Sequence, residues 1–261
     1  MLSPDRPVTS QDIPTAAADV LERVRARAPR VHCITNVVAQ NFSANMLLAA
    51  GAIPSMTIAS DEVVEFVAQA DALLVNLGTF DAERRVAANL AIDSMAQQGK
   101  PWLLDPVFVN RSEKRTQFAL SLLSYRPRAV RLNSTEFTAL SGSELDGASL
   151  ARFGEKHQTV VGLTGETDIV FGDGRLVCIG NGHPLMSKVT AMGCAGSALV
   201  GACLAVEKDP WVAVASGILI LGVAGQLAGE RAAGPGSLAT GILDALYELD
   251  AATLAERARV I

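Results

Sequence analysis

The chain reads as an α/β protein, a three-layer αβα sandwich with a mostly parallel central sheet and helices on both faces. Three observations carry this reading. Short β-branched or leucine-rich runs alternate with longer helical patterns. Those short runs are almost continuously apolar, as strands covered on both faces must be. With 261 residues and 49% hydrophobic side chains, the chain can bury a core without disulfide or metal staples. No internal repeat, low-complexity tract or long Pro/Gly/Ser linker divides it, so a single domain over residues 1–261 is expected.

Taken in order, the runs at 31–35, 54–58, 72–77, 102–105, 129–132, 159–164, 169–172 and 176–179 are expected as strands. Helical patterns fill 16–28, 38–50, 62–70, 82–98, 112–124 and 134–140, the last stopped by Gly142 as a C-cap. Asp173 and Gly174 between the last two apolar runs predict a tight antiparallel hairpin. Beyond residue 179 the pattern is helical almost throughout. The stretches 189–206 and 210–229 are uncharged and long enough to raise a membrane hairpin. Their many Ala and Gly residues and the three-residue link Glu207, Lys208, Asp209 favour buried core helices instead. Residues 1–12 carry Asp5, Arg6 and Asp12 and no apolar run, so no signal peptide is expected and the protein is placed in the cytoplasm.

Composition narrows the function classes. A formal charge of −5, from 22 Lys+Arg against 27 Asp+Glu, argues against nucleic acid as a partner. Cys33, Cys178, Cys194 and Cys203 are scattered, with no CxxC or Cys/His cluster, which disfavours zinc and a disulfide framework. The chain also has no GxxxxGK[ST] loop, GxGxxG fingerprint, kinase HRD/DFG set or GxSxG elbow.

In open α/β sheets ligands bind beyond the carboxyl ends of the strands, so polar residues that end apolar runs are informative. Asn76, Asp105, Asn133 with Glu136, and Thr164 are such residues. Singly, each is equally well explained as a helix cap or turn former; together they predict one polar crevice. Asp105 and Glu136 supply two carboxylates, enough to hold Mg²⁺ largely through waters. The run SKVTAMGCAGSA (187–198) leads through small residues into an apolar helix. Backbone N–H groups at such a helix start favour an anion and, by the same field, a thiolate at Cys194. Tight packing around a buried, inert thiol accounts for the run equally well.

These segments, in order, resemble the hydroxyethylthiazole kinase family of the ribokinase-like superfamily. The likeness rests on VHCITNVVAQNFSANMLLAAGAIPSM (31–56), LLVNLGT (73–79), LLDPV (103–107), RLNSTEF (131–137), LTGETD (163–168), NGHPLMSKVT and GC (181–194) and GPGS (234–237). The resemblance implies a ribokinase-like fold and transfer of the ATP γ-phosphate to the hydroxyl of 4-methyl-5-(2-hydroxyethyl)thiazole, a salvage step toward thiamine. It implies Met56 and Ala191 as thiazole contacts and Arg131 and Thr164 as ATP contacts. Asp105 and Glu136 match acidic positions near Mg²⁺, and Cys194 stands where most of the superfamily has its catalytic aspartate. A homotrimer with sites near subunit boundaries is implied as well.

In that reading Arg131 and Mg²⁺ neutralise the triphosphate, while the N–H groups around Ala191, Gly193 and Cys194 hold the γ-phosphoryl group. The chain departs from the family at Ala191 and Met192, where a glycine-rich anion hole is usual, at Phe108–Arg111 after the DPV motif, and at Leu132. Two alternatives follow: a catalytically impaired thiazole- or nucleotide-binding protein, and a nucleotide-dependent dehydratase on a related fold.

Overall fold

Residues 8–261 are described by the computed structural model. Most of the opening segment, read above as lacking a signal peptide, therefore lies outside the described residues. The strands are β1 (Arg30–Ile34), β2 (Ile53–Ser55), β3 (Ala72–Asn76), β4 (Trp102–Asp105), β5 (Ala129–Asn133), β6 (Val160–Thr164), β7 (Asp168–Gly172) and β8 (Arg175–Ile179). They form one sheet in the order β2-β1-β3-β4-β5-β6-β7-β8. Pairing is parallel from β2 to β6 and antiparallel across β6–β7 and β7–β8. The expected hairpin is present: Asp173 (φ 55°) and Gly174 (φ 70°) both take the left-handed conformation that a two-residue primed turn demands.

The helices are α1 (Ile13–Arg27), α2 (Gln40–Ala49), α3 (Val63–Gln69), α4 (Ala82–Gln98), α5 (Glu113–Leu123), α6 (Ser134–Ser141), α7 (Gly147–His157), α8 (Met192–Val206), α9 (Pro210–Arg231), α10 (Pro235–Glu248) and α11 (Ala251–Arg257). Alternation along the strands sorts them into two layers. Val31, Cys33, Leu74, Leu103 and Ala129 point to the face covered by α1, α2, α8, α9, α10 and α11. Leu73, Val75, Leu104, Val130 and Val161 point to the face covered by α3 to α7. The three-layer reading of the sequence holds.

One expectation is refined and one element is new. The run at 54–58 pairs only over Ile53–Ser55, because β2 is an edge strand whose register with β1 stops at His32↔Ser55. Helix α7 was not anticipated. It starts at Asp146, whose carboxylate accepts the Ser149 N–H at 2.6 Å, and buries little beyond Leu150 and Phe153, so its apolar periodicity is short. Gly142 does end α6, at φ 66°. Helix α9 is long and apolar enough to cross a membrane, but 94% of its apolar window is buried, in contact with α1, α8 and α10. It is a core helix, as its small residues suggested.

Strands β4 and β5 share only the pairs Leu103↔Ala129 and Leu104↔Val130, so the strands part just before Asp105. At the far side, residues 259–261 lie along β8: Cys178 and Ile261 exchange both backbone hydrogen bonds (3.0 and 2.9 Å), and Gly180 N–H donates to Arg259 O at 2.8 Å. Among the described residues nothing pairs with the outer side of β2.

Candidate active site

At the carboxyl ends of the parallel strands the polar side chains form a connected chain. Asp105, at the end of β4, is buried. Its Oδ2 accepts from Asn76 Nδ2 (2.7 Å) at the end of β3 and from the Ser197 hydroxyl (2.8 Å) on α8. Asn76 Oδ1 in turn accepts from Asn36 Nδ2 and from the Gly78 N–H, both at 3.0 Å. Asn36, just past β1, also donates to Cys194 Sγ at 3.2 Å. A carboxylate can only accept, so it orients every amide along this path and makes the sulfur an acceptor. The approach is close: a Cβ at Gly78 would come within 2.7 Å of the Asn36 amide.

Arg131 reaches from β5 to the start of α8, donating to Gly193 O at 2.8 Å. Its Nε is buried with no partner, an orphaned donor of the sort that a bound anion satisfies. Gly193 and Gly196 make room for the guanidinium; a Cβ on Gly196 would lie 3.1 Å from it. Beside it opens a cavity of about 790 Å³ lined by Arg131, Thr164, Asp168, His183, Met192 and Gly193, among others. That volume lies in the range of small-molecule sites, roughly 300–1,000 Å³.

The acids around Arg131 have unlike surroundings. Burial pushes the Asp105 carboxyl up, opposed by the Arg131 charge and the hydrogen bonds from Ser197 and Asn76. Burial also raises Asp168, against the Gly165 N–H and Arg131. Glu136 is raised by burial first, with the Asp105 charge adding to it and N–H donors opposing. Its Oε1 accepts from Phe108 N–H and its Oε2 from Asn133 N–H, both at 3.0 Å. With Asn133 accepting the Glu136 N–H, this is a capping box at the start of α6. Glu136 thus ties down the loop after β4, where Phe108 takes φ 61°.

Of the two readings of Cys194, thiolate or buried thiol, the thiolate is corrected and the buried thiol is supported. Burial, and then the Asp105 charge, push the Cys194 thiol up to about 11, and the hydrogen bond from Asn36 offsets only part of this. The helix start does supply N–H groups: Ala191 is the N-cap of α8, at φ 65°, and no side chain caps it. Desolvation outweighs the helix field at this sulfur. Cys33 and Cys203 are fully buried, with thiols pushed to about 12, and all four cysteines are free.

Of the residues singled out from sequence, Arg131, Thr164 and Gly193 line the cavity together. Asp105 and Cys194 join them through the amide chain, and Ala191 begins the helix that carries Gly193 and Cys194. Met56 does not line this cavity; it lies just past β2, half-buried against the core that also contains Met192 and Ala195. Glu136 faces the loop after β4 rather than the cavity. No group of three or more His, Cys, Asp or Glu able to hold a metal is present among the described residues. Sequence reasoning passed over Asn36, Asp168 and Ser197. Asn36 was detectable, since Thr35–Asn36 is a polar ending to an apolar strand like the others.

A parallel sheet with polar strand ends, an arginine with an unsatisfied donor and an uncapped helix start make an anion-binding site on a ribokinase-like α/β fold. The fold matches that of a ribokinase-like superfamily protein from Enterococcus faecalis V583, at TM-score 0.66 and 16% identity over 88% of this chain and 93% of that one. The particular family is equally plain. Residues 21–252 match the profile of the hydroxyethylthiazole kinase family, and the chain belongs to that family. It is 43% identical to the hydroxyethylthiazole kinase of Granulibacter bethesdensis over 94% of this chain and 97% of that protein. The structure of the hydroxyethylthiazole kinase protein from Pyrococcus horikoshii OT3 matches at TM-score 0.89 and 37% identity, over 95% of this chain and 98% of that one.

Proposed function

We propose that the protein, acting over residues 1–261 as one kinase domain in the cytoplasm, transfers the γ-phosphate of ATP to the hydroxyl of 4-methyl-5-(2-hydroxyethyl)thiazole in thiamine salvage. The observation that carries this is the orphaned Arg131 Nε, aimed beside the uncapped start of α8 at the edge of a cavity large enough for a nucleotide. Arg131 and Thr164 bind the phosphates, and the N–H groups of Met192, Gly193 and Cys194 receive charge that spreads over the moving phosphoryl oxygens. Ala191 and Met56 contact the thiazole. A loose transition state asks little of a base, so a Cys194 thiol held at about 11 is compatible with the reaction.

Mg²⁺ fits a donor set of two carboxylates. Both Asp105 hydrogen bonds fall on Oδ2, which leaves Oδ1 for a hydrated cation, and each Glu136 oxygen accepts one backbone N–H and keeps a lone pair for a cation-bound water. Bound there, Mg²⁺ supplies charge neutralisation for the triphosphate. A homotrimer is supported by apolar exposure near β2: Val37, Val38, Leu48 and Ile53 are each more than two-fifths exposed.

The test is ADP release from purified protein with Mg-ATP, with and without the thiazole alcohol. Thiazole-dependent ADP formation is expected. ATP binding without any stimulated turnover would instead favour the impaired binding protein, for which the left-handed Ala191 is the motivating observation.

A further inference from the structure

His32 is a fully buried imidazole that the proposed chemistry does not use. It sits on β1 opposite Ser55, at the last register pair that holds the three-residue edge strand β2. Its ring reaches beyond that pair: Nδ1 lies 2.8 Å from Ser55 Oγ and Nε2 lies 3.0 Å from Thr57 O. A carbonyl only accepts, so Nε2 carries the proton; Nδ1 is then the acceptor and the Ser55 hydroxyl donates to it. The ring thus grips the chain on both sides of Met56. Past Ser55 the β1 ladder has ended, and the side chain carries the tie onward. From the other side the Thr57 hydroxyl donates to Glu62 Oε1, which joins the segment to the start of α3.

We infer that His32 is a positioning residue for the acceptor alcohol, fixing residues 55–57 so that Met56 meets the substrate ring. This rests on the thiazole reading of Met56 and adds a residue, buried one strand inward, that sets affinity for the acceptor without touching it. A leucine at 32 fills the space but cannot hold the Thr57 carbonyl. A glutamine can return an N–H to it.

The experiment measures steady-state kinetics and amide hydrogen exchange for the full-length wild type, His32→Leu, His32→Gln and Met56→Ala. In His32→Leu the KM for the thiazole alcohol should rise roughly tenfold or more, with kcat and the KM for ATP changing less than about threefold. Exchange should quicken over residues 53–62 and not in α8. His32→Gln should recover most of the lost affinity. If Met56→Ala raises the thiazole KM while His32→Leu leaves it alone, the inference is overturned and the thiazole reading stands. If thiazole KM and ATP KM rise together, or exchange quickens throughout the sheet, His32 is merely a core residue and the inference is overturned. If the wild type forms no ADP with the thiazole, the substrate reading falls, and this inference falls with it.

Discussion

At the scale of single residues the sulfur of Cys194 is the most informative atom. It ends a path of hydrogen bonds that begins at a buried carboxylate, and it receives an N–H where a base would receive one. An aspartate placed there inherits the Asn36 donor and ionises far more readily than a thiol held at about 11. Cys194→Asp should therefore keep or raise kcat. Cys194→Ala should lower it by roughly ten- to a hundredfold, the low end of general-base effects because the transition state is loose. Steady-state turnover of the two variants checks this, and an alanine variant as fast as wild type removes the sulfur from the reaction. Part of this path was legible in sequence, since Asn76 and Asp105 end apolar runs; the direction of its hydrogen bonds was not. The helix start at 192 was, and it pointed to a thiolate; the depth of burial that reverses the sign belongs to the packed structure. Glu136 teaches the converse. The spacing Asn133-x-x-Glu136 spells a capping box, and its structural use could be read beforehand, whereas the third partner, Phe108 N–H, could not.

Among the elements, α8 carries strain at the site itself. Its N-cap Ala191 holds φ 65°, a conformation that costs an L-residue with a Cβ about 1 kcal/mol. Ala191→Gly should stabilise the protein by about that amount, less the extra freedom glycine gives the unfolded chain. Urea denaturation of the two proteins checks it; a loss of stability would mean that the alanine methyl packs productively. The strands themselves were easy to read, because residues such as 72–75 and 102–104 are buried on both faces and so continuously apolar. Helix α7 was hard to read, since only Leu150 and Phe153 among its large apolar side chains are buried on an otherwise polar segment. Strand β2 was drawn too long because the point at which an edge strand leaves its neighbour depends on register, not composition.

For the molecule as a whole, His32 makes stability sensitive to acid. Burial lowers its folded-state value from 6.5 to about 4. Between those values the unfolded chain binds a proton that the folded chain refuses, so stability present above pH 6.5 is lost as pH falls toward 4. At pH 4.5 the loss is on the order of 2 to 3 kcal/mol. The buried acids Asp105, Glu136 and Asp168 act in the opposite direction, since burial favours their protonated forms. The measurement is therefore a difference: urea denaturation at pH 7 and pH 4.5 for wild type and His32→Gln, with the variant expected to lose less on acidification. An equal loss in both would assign the acid sensitivity elsewhere.

The two margins of the sheet are not alike. The β8 margin is closed by residues 259–261, and the β2 margin is bare among the described residues. A sheet with one reactive margin has a valence of one for strand pairing. Two such molecules can join margin to margin, and then no free margin is left for a third. Fibres need two sticky ends per unit, and the short antiparallel pairing of Ile179 with Val260 takes one of them away. Removing residues 259–261 would bare the β8 margin too, leaving two open margins among the described residues and so a sheet that can propagate.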